Sequence, residues 1–240
     1  MEPSPSISGQ ALVVGASSTI GRAIATDLAR LGLGMSLWGR DADRLAEAAA
    51  ECSAVGSSAE ADIVDVTARE SLPEAVATLT ERGPLKVVVW AAGLFDWALA
   101  DEADPQVWSQ LFDVNLTAAA VLTPLVLPAL ITAAPSALVY LGSGAAHTIY
   151  RNNAAYVASK HGLAALAHAT FLDVQDRDVK VSIISPGMVA AGGGLWSPAG
   201  QSRPHELLQP EDVAAAVRFV VTYPVRGCPT EIQLQPQRRV

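Results

Sequence analysis

Tyr156 and Lys160 are two residues whose types and spacing could do chemistry together. They stand four positions apart in AYVASK, and on a helix this spacing puts both on one face, with Cβ atoms about 5–6 Å apart. A phenol has a reference pKa of about 10, and a neighbouring ammonium group favours the phenolate and lowers that pKa. Such a tyrosine can serve as a general acid or base near neutral pH. The alternative is a half-buried tyrosine beside a lysine whose amine reaches water.

Two polar residues elsewhere favour the chemical interpretation. Ser143 ends a predicted strand in LVYLGSG, and the carboxyl ends of strands are where sites gather in open α/β sheets. Asn115 lies in DVNL, within a predicted helix and among apolar neighbours. An asparagine there costs helix stability unless its amide has a function.

The segment VVGASSTIGRAIA predicts a phosphate-binding turn between the first strand and the first helix. Gly15 follows the strand and Gly21 falls in the first turn of the helix. This layout offers free backbone N–H groups and the positive end of a helix dipole to a pyrophosphate. A tight turn with no ligand is the alternative at this point.

The end of the second strand indicates which dinucleotide is bound. Dinucleotide folds that bind NAD place an acidic residue there to hold the ribose 2′-hydroxyl, but this chain has Gly39 and Arg40. A small residue leaves room, and a guanidinium group suits a 2′-phosphate. We therefore expect NADP(H) rather than NAD(H). The alternative is that Arg40 only begins a surface helix and pairs with Asp43.

Short apolar runs that alternate with helical patterns must position these residues. The predicted strands are Ala11–Val14, Met35–Trp38, Ala61–Val64, Lys86–Trp90, Ala137–Leu141, Lys180–Ile184 and Glu231–Leu234. The predicted helices are Ile20–Leu31, Ala42–Glu51, Arg69–Arg82, Pro105–Ala133, Ala154–Gln175 and Pro210–Thr222. This alternation predicts an α/β fold, a doubly wound parallel sheet of seven strands with helices on both faces. Residues 1–240 are expected to form one domain, in which the irregular stretch 189–209 is a substrate lid loop.

Composition excludes several classes of function. Of 240 residues, 50% are hydrophobic and 17% charged, and the net charge of −8 argues against a nucleic-acid partner. Two cysteines and four histidines show no metal-ligand spacing, so we expect no metal. The N-terminal MEPSPSISG lacks the features of a signal peptide, and prolines interrupt the uncharged stretch 114–150, so we expect no membrane span and a cytoplasmic protein.

Together these segments resemble the short-chain dehydrogenase/reductase family in its single-domain form, over essentially the whole chain. The matching pieces are VGASSTIG, DVT at Asp65–Thr67, AAG at Ala91–Gly93, DVNL, the strand end at Ser143, YVASK, and SPG at Ser185–Gly187. Their order and spacing make the resemblance specific.

The resemblance implies an NADP(H)-dependent oxidoreductase that interconverts a ketone or aldehyde with an alcohol by hydride transfer. Tyr156 would exchange a proton with the substrate oxygen, Lys160 would lower the pKa of Tyr156 and hold the nicotinamide ribose, and Ser143 would orient the oxygen. Asn115 would hold a water behind Lys160. The cofactor-binding residues implied are Gly15, Ser17, Ser18, Thr19, Ile20, Gly21, Arg40, Asp65, Val66, Ala91, Ala92, Gly93, Pro186, Gly187 and Val189.

The chain departs from the family pattern at four positions. Thr19 stands where the family has its middle glycine, and Trp90 stands where an asparagine often precedes AAG. Gly144 stands where a serine commonly follows the catalytic serine, and Ala191 stands where a threonine usually contacts the nicotinamide. We expect these differences to affect cofactor affinity and not the fold.

The substrate is expected to be a small and largely apolar carbonyl compound or alcohol. The residues that could line its site are Phe95, Trp97, His147, Tyr150, Arg151, Met188 and Trp196. The aromatic residues favour an aromatic or cyclic substrate, whereas Arg151 could instead select an anionic group. We expect His147 to line the pocket.

The helices Pro105–Ala133 and Ala154–Gln175 carry little charge even on faces that should meet solvent, and a helix apolar all round is usually covered. In relatives of this fold the corresponding helices pack against a second subunit. We therefore expect a homodimer or a homotetramer.

Two other functions fit the same fold. A non-catalytic NADP(H)-binding sensor or scaffold would share it, although such proteins typically lack the tyrosine or the lysine. A sugar-nucleotide epimerase or dehydratase of the longer related form would need more C-terminal chain and a different glycine spacing.

Overall fold

The computed structural model describes residues 7–238. Residues 1–6, on which part of the signal-peptide prediction depends, and residues 239–240 lie outside the described residues. Seven strands form one parallel sheet in the order β3-β2-β1-β4-β5-β6-β7, which confirms the predicted fold class. The strands are β1 (Gln10–Val14), β2 (Gly34–Gly39), β3 (Ala59–Ile63), β4 (Leu85–Trp90), β5 (Ser136–Leu141), β6 (Val179–Pro186) and β7 (Glu231–Leu234).

Eight α-helices connect and cover the strands in the described part of the chain. They are α1 (Thr19–Ala29), α2 (Ala42–Ala54), α3 (Leu72–Glu81), α4 (Pro105–Phe112), α5 (Ala118–Thr132), α6 (Ala154–Val174), α7 (Pro198–Ser202) and α8 (Pro210–Thr222). Side chains of α1, α2 and α8 pack on one face of the sheet. Side chains of α3, α5 and α6 pack on the other. Strands β5 and β6 are buried at every position. Burial on both faces explains why β5 is continuously apolar from Ala137 to Leu141 rather than alternating, whereas β6 also buries Lys180 and Ser182.

The strand order places a topological switch point at β1. From β1 the chain winds outward through β2 to β3, and it then returns to build β4 to β7 on the opposite side. In such sheets the crevice at the carboxyl ends of the strands beside the switch point is the ordinary place for a ligand. The turns after β1, β4, β5 and β6 all open at this edge of the sheet.

The predicted helix Pro105–Ala133 is divided in two. A π-helical turn, Asp113–Thr117, separates α4 from α5, and the N–H of Ala118 bonds the carbonyl of Asp113 five residues earlier. The turn inserts one extra residue into the helix, and such turns occur frequently at functional sites.

The stretch 189–209, predicted to be irregular from its glycines and prolines, contains short helices. A 3₁₀ turn at Gly192–Trp196 is followed by α7 and by a second 3₁₀ turn at Pro204–Glu206. Both α7 and the second 3₁₀ turn begin with proline, which suits a first helical position. Main-chain pairing of Val189 with Leu208 closes the base of the stretch.

By length and composition alone, the helical run Pro105–Thr132 could cross a membrane. Core helices of soluble proteins pass the same test. In this fold α5 buries Leu122, Val126 and Leu130 in the core against the sheet, so its apolar character has a structural reason.

Candidate active site

Tyr156 and Lys160 both lie in the first two turns of α6, which brings them to the carboxyl edge of the sheet. Lys160 is only 4% exposed, and its Nζ donates a hydrogen bond of 2.9 Å to the carbonyl oxygen of Leu141 at the end of β5. The same Nζ lies 5.7 Å from the centre of the Tyr156 ring. The predicted pairing of the two side chains on one helix face is therefore present.

Burial determines the protonation of this pair. It raises the pKa of Tyr156 above its ordinary value, and a hydrogen bond with Ser143 offsets part of that rise. Burial also lowers the pKa of Lys160 from 10.5 to about 8. The expected lowering of the Tyr156 pKa by Lys160 is thus not seen, because desolvation of the phenolate is the largest effect on this group.

Ser143 comes to Tyr156 from the end of β5. Its hydroxyl lies close enough to the phenol to lower the pKa of Tyr156, and its Oγ accepts a bond of 3.1 Å from the N–H of Ala145. A substrate oxygen that enters beside these two hydroxyl groups would meet two donors at once. Such an arrangement can orient and polarise a carbonyl group.

Asn115 lies in the π-helical turn and is fully buried. Its Oδ1 accepts a bond of 2.7 Å from the N–H of Leu94, and its Nδ2 donates to the carbonyl of Leu94 at 2.9 Å and to Ser159 Oγ at 3.1 Å. Ser159 in turn donates to the carbonyl of Tyr156 at 2.8 Å. Asn115 therefore ties the loop after β4 to the helix turn that carries Tyr156. Its role in holding a water stays a prediction.

Sequence reasoning missed Ser159 and the backbone groups of Leu94 and Leu141. Ser159 stands three residues after Tyr156, a spacing that could have suggested a bond back to the helix carbonyl. The backbone partners carry no signal in the sequence.

The turn after β1 has the shape that a pyrophosphate requires. Gly15 has φ of +88°, and a Cβ at this residue would lie 2.7 Å from the N atom of Ala92. A Cβ at Gly21 would lie 2.2 Å from the carbonyl oxygen of Gly15. Only glycine fits either place, so backbone approaches backbone closely here.

The first turn of α1 offers free backbone N–H donors next to the turn at Gly15. Ser18 caps the helix, with its Oγ accepting from the N–H of Gly21 at 3.0 Å and donating to the carbonyl of Gly15 at 2.8 Å. The N–H groups of Thr19 and Ile20 have no intrahelical acceptor, as in any first helical turn. They are therefore available to a bound phosphate, and the threonine in place of the family's glycine keeps its N–H in this position.

A second group of residues converges after β2 and β3. A Cβ at Gly39 would lie 2.9 Å from Ser17 Oγ, so only glycine leaves that hydroxyl in place. The hydroxyl and N–H of Thr67 donate to Asp65, and with the charge of Arg40 they lower the pKa of this carboxyl group. Arg40 therefore lies close enough to Asp65 for its charge to act on that carboxyl group, at the edge of the sheet where both residues are predicted to bind the cofactor.

The remaining predicted cofactor residues lie along the same edge. Ala91, Ala92 and Gly93 follow β4, and a Cβ at Gly93 would lie 3.4 Å from Asn115 Oδ1 and 3.6 Å from Lys160 Nζ. Val66 follows β3, Pro186 ends β6, and Gly187 and Val189 come directly after it.

Two of the departures from the family pattern are buried, and their expected effect on cofactor affinity stays a prediction. Trp90 is buried in the core beside Ala119 and Tyr140, on the face of the sheet that α5 covers, so the indole does not replace a cleft residue. Ala191 is also buried and precedes the 3₁₀ turn Gly192–Trp196.

His147 is bound on the β6–β7 side of the loop. Its Nε2 lies 2.5 Å from Glu231 Oε1 and 3.3 Å from Ser185 Oγ. His168 approaches the other oxygen of Glu231 at 3.6 Å. The histidine thus fastens the loop between Ser143 and Tyr156 to strands β6 and β7, a contact that the sequence did not indicate.

Comparison with known proteins agrees with this geometry. The sequence profile of the short chain dehydrogenases matches residues 10–194. An uncharacterised oxidoreductase of Staphylococcus saprophyticus is 30% identical over 231 residues, which cover 94% of this chain and 96% of that protein.

Two solved structures share the whole fold. An alcohol dehydrogenase from the archaeon Thermococcus sibiricus, complexed with 5-hydroxy-NADP, has a TM-score of 0.88 and 28% identity, and the match covers 98% of this chain and 99% of that one. A metagenomic short-chain oxidoreductase in complex with NADP has a TM-score of 0.84 and 27% identity, over 98% of this chain and 100% of that one.

Proposed function

The chain belongs to the short-chain dehydrogenase family and is an oxidoreductase of it, and on that premise we propose that it uses NADP(H) to interconvert a ketone or aldehyde with an alcohol. The observation that carries this proposal is the contact of the Tyr156 phenol with Ser143, next to buried Lys160. This group lies at the same sheet edge as the glycine turn after β1.

The protonation of Tyr156 suits it to reduction. Because burial raises its pKa, the phenol keeps its proton at neutral pH and can give it to a carbonyl oxygen as charge develops there. Ser143 donates to the same oxygen and orients it. In the oxidation direction the phenolate must form first, so alkaline conditions favour that direction.

Lys160 and Asn115 hold this arrangement in place. The amine of Lys160 fixes the end of β5 through Leu141, just before Ser143, while it lies below the Tyr156 ring. The amide of Asn115 fixes the loop after β4 against the first turns of α6. We expect Lys160 also to hold the nicotinamide ribose, as the family resemblance implies.

The residues of the sheet edge fit NADP(H). Gly15, Ser18, Thr19, Ile20 and Gly21 form a backbone cradle in which added Cβ atoms at the two glycines would collide. Ser17 and Arg40 would hold the 2′-phosphate, Asp65 and Val66 the adenine, and Ala91–Gly93 with Pro186, Gly187 and Val189 the nicotinamide side. When bound, the cofactor would supply or accept the hydride. Two similar structures were determined with NADP or a derivative of it, which supports this choice.

The protein is further proposed to be a cytoplasmic homo-oligomer that acts on a small, largely apolar molecule. Apolar side chains on the outside support the assembly. Val107 on α4 and Leu172 on α6 are both exposed. Residues 1–240 would act as one domain, and residues 189–209 as its lid over the substrate.

The test is Tyr156→Phe, assayed by NADPH oxidation with a panel of ketones. Cofactor binding should stay within about twofold of wild type, whereas kcat/KM should fall by about 10² to 10⁴, the usual contribution of a general acid. Tyr223→Phe, the same change beside α8, is the matched control and should keep full activity. Near-normal turnover in Tyr156→Phe contradicts the assignment. Tight NADPH binding by a wild type without any turnover favours the sensor or scaffold.

A further inference from the structure

Three aromatic rings gather beside the proposed proton donor. The Phe95 ring lies edge-on to the Tyr156 ring, with the ring centres 5.0 Å apart and an angle of 75° between planes. Trp97 lies 6.2 Å and Trp196 lies 6.3 Å from the centre of Phe95. We call Phe95, Trp97 and Trp196 the aromatic wall. Two separate segments supply it, the loop after β4 and the 3₁₀ turn of the lid.

The lid is fitted to this wall through a glycine. A Cβ at Gly193 would lie 2.9 Å from Phe95 Cδ1, so the turn rests directly on the phenyl ring. Hydrogen bonds from Ala190 N–H to the Leu208 carbonyl, and from Leu208 N–H to the Met188 carbonyl, close the base of the lid. Main-chain contacts therefore hold the 3₁₀ turn that carries Trp196 against Phe95.

The wall leaves much apolar surface uncovered. Trp97 is 59% exposed and Trp196 is 69% exposed, although both rings belong to one cluster with half-buried Phe95. Exposed apolar patches of this kind mark binding sites. Tyr150 adds a further ring near the reacting groups, because a Cβ at Gly144, next to Ser143, would lie 3.7 Å from its hydroxyl oxygen.

A substrate held by its oxygen at Ser143 and Tyr156 must place one carbonyl substituent beside Phe95, because this ring touches the Tyr156 ring. Aromatic rings favour partners whose edges or faces they can meet at centre-to-centre distances of about 4.5–7 Å. The spacing within the wall already follows this geometry. A planar ring therefore gains more here than a saturated group of equal size.

We propose that the aromatic wall is a ring-binding subsite and that the substrate is an aryl ketone or aryl aldehyde, with its aromatic ring directly attached to the carbonyl carbon. This inference rests on the proposed function. It refines the substrate class from apolar carbonyl compounds in general to those with an adjacent aromatic ring. Trp97 and Trp196 are then residues that determine specificity.

The experiment compares acetophenone with cyclohexyl methyl ketone, which has the same number of ring carbons but no planar ring. The readout is the ratio of kcat/KM for the two ketones, measured in wild type, Phe95→Leu and Trp196→Leu. We expect the ratio to fall about 3- to 10-fold in each variant. The reason is that contact between two aromatic rings raises kcat/KM by a factor of about 2 to 12 beyond the effect of apolar burial. Phe219→Leu, the same change on α8, should leave the ratio at the wild-type value.

Binding is read independently of turnover by tryptophan fluorescence during titration with 1-phenylethanol. The wild type should show saturable quenching, and Trp196→Leu and Trp97→Leu should each lose part of it, because both indoles belong to the aromatic wall. Two results overturn the ring subsite and leave the proposed function intact. One is turnover of ketones with the same acetophenone to cyclohexyl methyl ketone ratio in both variants as in wild type. The other is the absence of saturable fluorescence quenching in the wild type. If wild type binds NADPH but reduces no carbonyl compound, the proposed function fails and the substrate class fails with it.

Discussion

Replacing Lys160 with methionine should stabilise the protein at neutral pH while it abolishes turnover. The lysine is 4% exposed, and burial lowers its pKa from 10.5 to about 8. Methionine has a similar length and no charge. The protein therefore carries an amine in its core that is charged at neutral pH, as the proposed reaction requires, and the cost of burying it should be measurable.

The magnitude follows from the pKa values. Each pKa unit corresponds to about 1.36 kcal/mol, so the fall from 10.5 to about 8 costs about 3 kcal/mol of the free energy of unfolding. The full cost applies below about pH 8, where the amine is charged in both the folded and the unfolded chain. Between about pH 8 and 10.5 the unfolded chain binds more protons, so stability rises with pH. By pH 9.5 about 2 kcal/mol should be recovered in wild type and none in the variant.

One opposing effect reduces the net gain. In Lys160→Met the carbonyl of Leu141 loses its donor, and an unpaired buried acceptor costs about 1–3 kcal/mol at any pH. The variant should therefore be about 0–2 kcal/mol more stable than wild type at pH 7. For a chain of 240 residues, 1 kcal/mol is about 2–4 °C in Tm.

The assay is urea unfolding of both proteins at pH 7 and pH 9.5, at equal protein concentration so that any assembly affects both alike. The stability difference between variant and wild type should shrink by about 2 kcal/mol across this interval. Other titrating groups are common to both proteins and cancel. A difference that does not change with pH would refute the argument that Lys160 is a buried charge.

Three further predictions concern other parts of the molecule. The wild type should prefer NADPH over NADH by about 10- to 100-fold, as expected for charge-assisted bonds to a phosphate, and Arg40→Asp should reverse this preference. A wild type that favours NADH contradicts the proposed role of Arg40. Glu231→Gln should lower Tm by a few degrees, because a half-exposed contact between a carboxylate and a histidine contributes up to about 1 kcal/mol. An unchanged melting curve would show that this contact does not stabilise the fold. Sedimentation should give a multiple of the chain mass of 24.9 kDa, so a single-chain mass rules out the homo-oligomer.

The sequence predicted the sheet and most helices because buried parallel strands are continuously apolar and each helix carries its own local signals. All seven strands were placed to within about two residues at each end. Local patterns in the sequence were enough to predict four site residues. Helical spacing indicated Tyr156 and Lys160, a strand end indicated Ser143, and a short motif indicated Asn115. The structure brings these four together.

Features that depend on tertiary contacts could not be predicted. The π-helical turn contains Asn115, whose amide forms a hydrogen bond with Leu94, 21 residues earlier in the chain. No local sequence pattern therefore predicts this turn. Helical spacing places Lys160 near Tyr156 but says nothing of how deeply either is buried, and burial decides the direction of both pKa shifts. The contact of His147 with Glu231 joins two segments that meet only after the sheet has formed.

The π-helical turn has a consequence for how this chain can evolve or be engineered. Losing a single codon between Asp113 and Thr117 would restore an unbroken α-helix, and the repaired helix would look better by any measure of regularity. The same deletion would swing Asn115 about 100° around the helix axis and away from Leu94. A designer who removes this irregularity, or a lineage that acquires the deletion, would thus gain a more regular helix and lose the bonds that join Asn115 to Leu94.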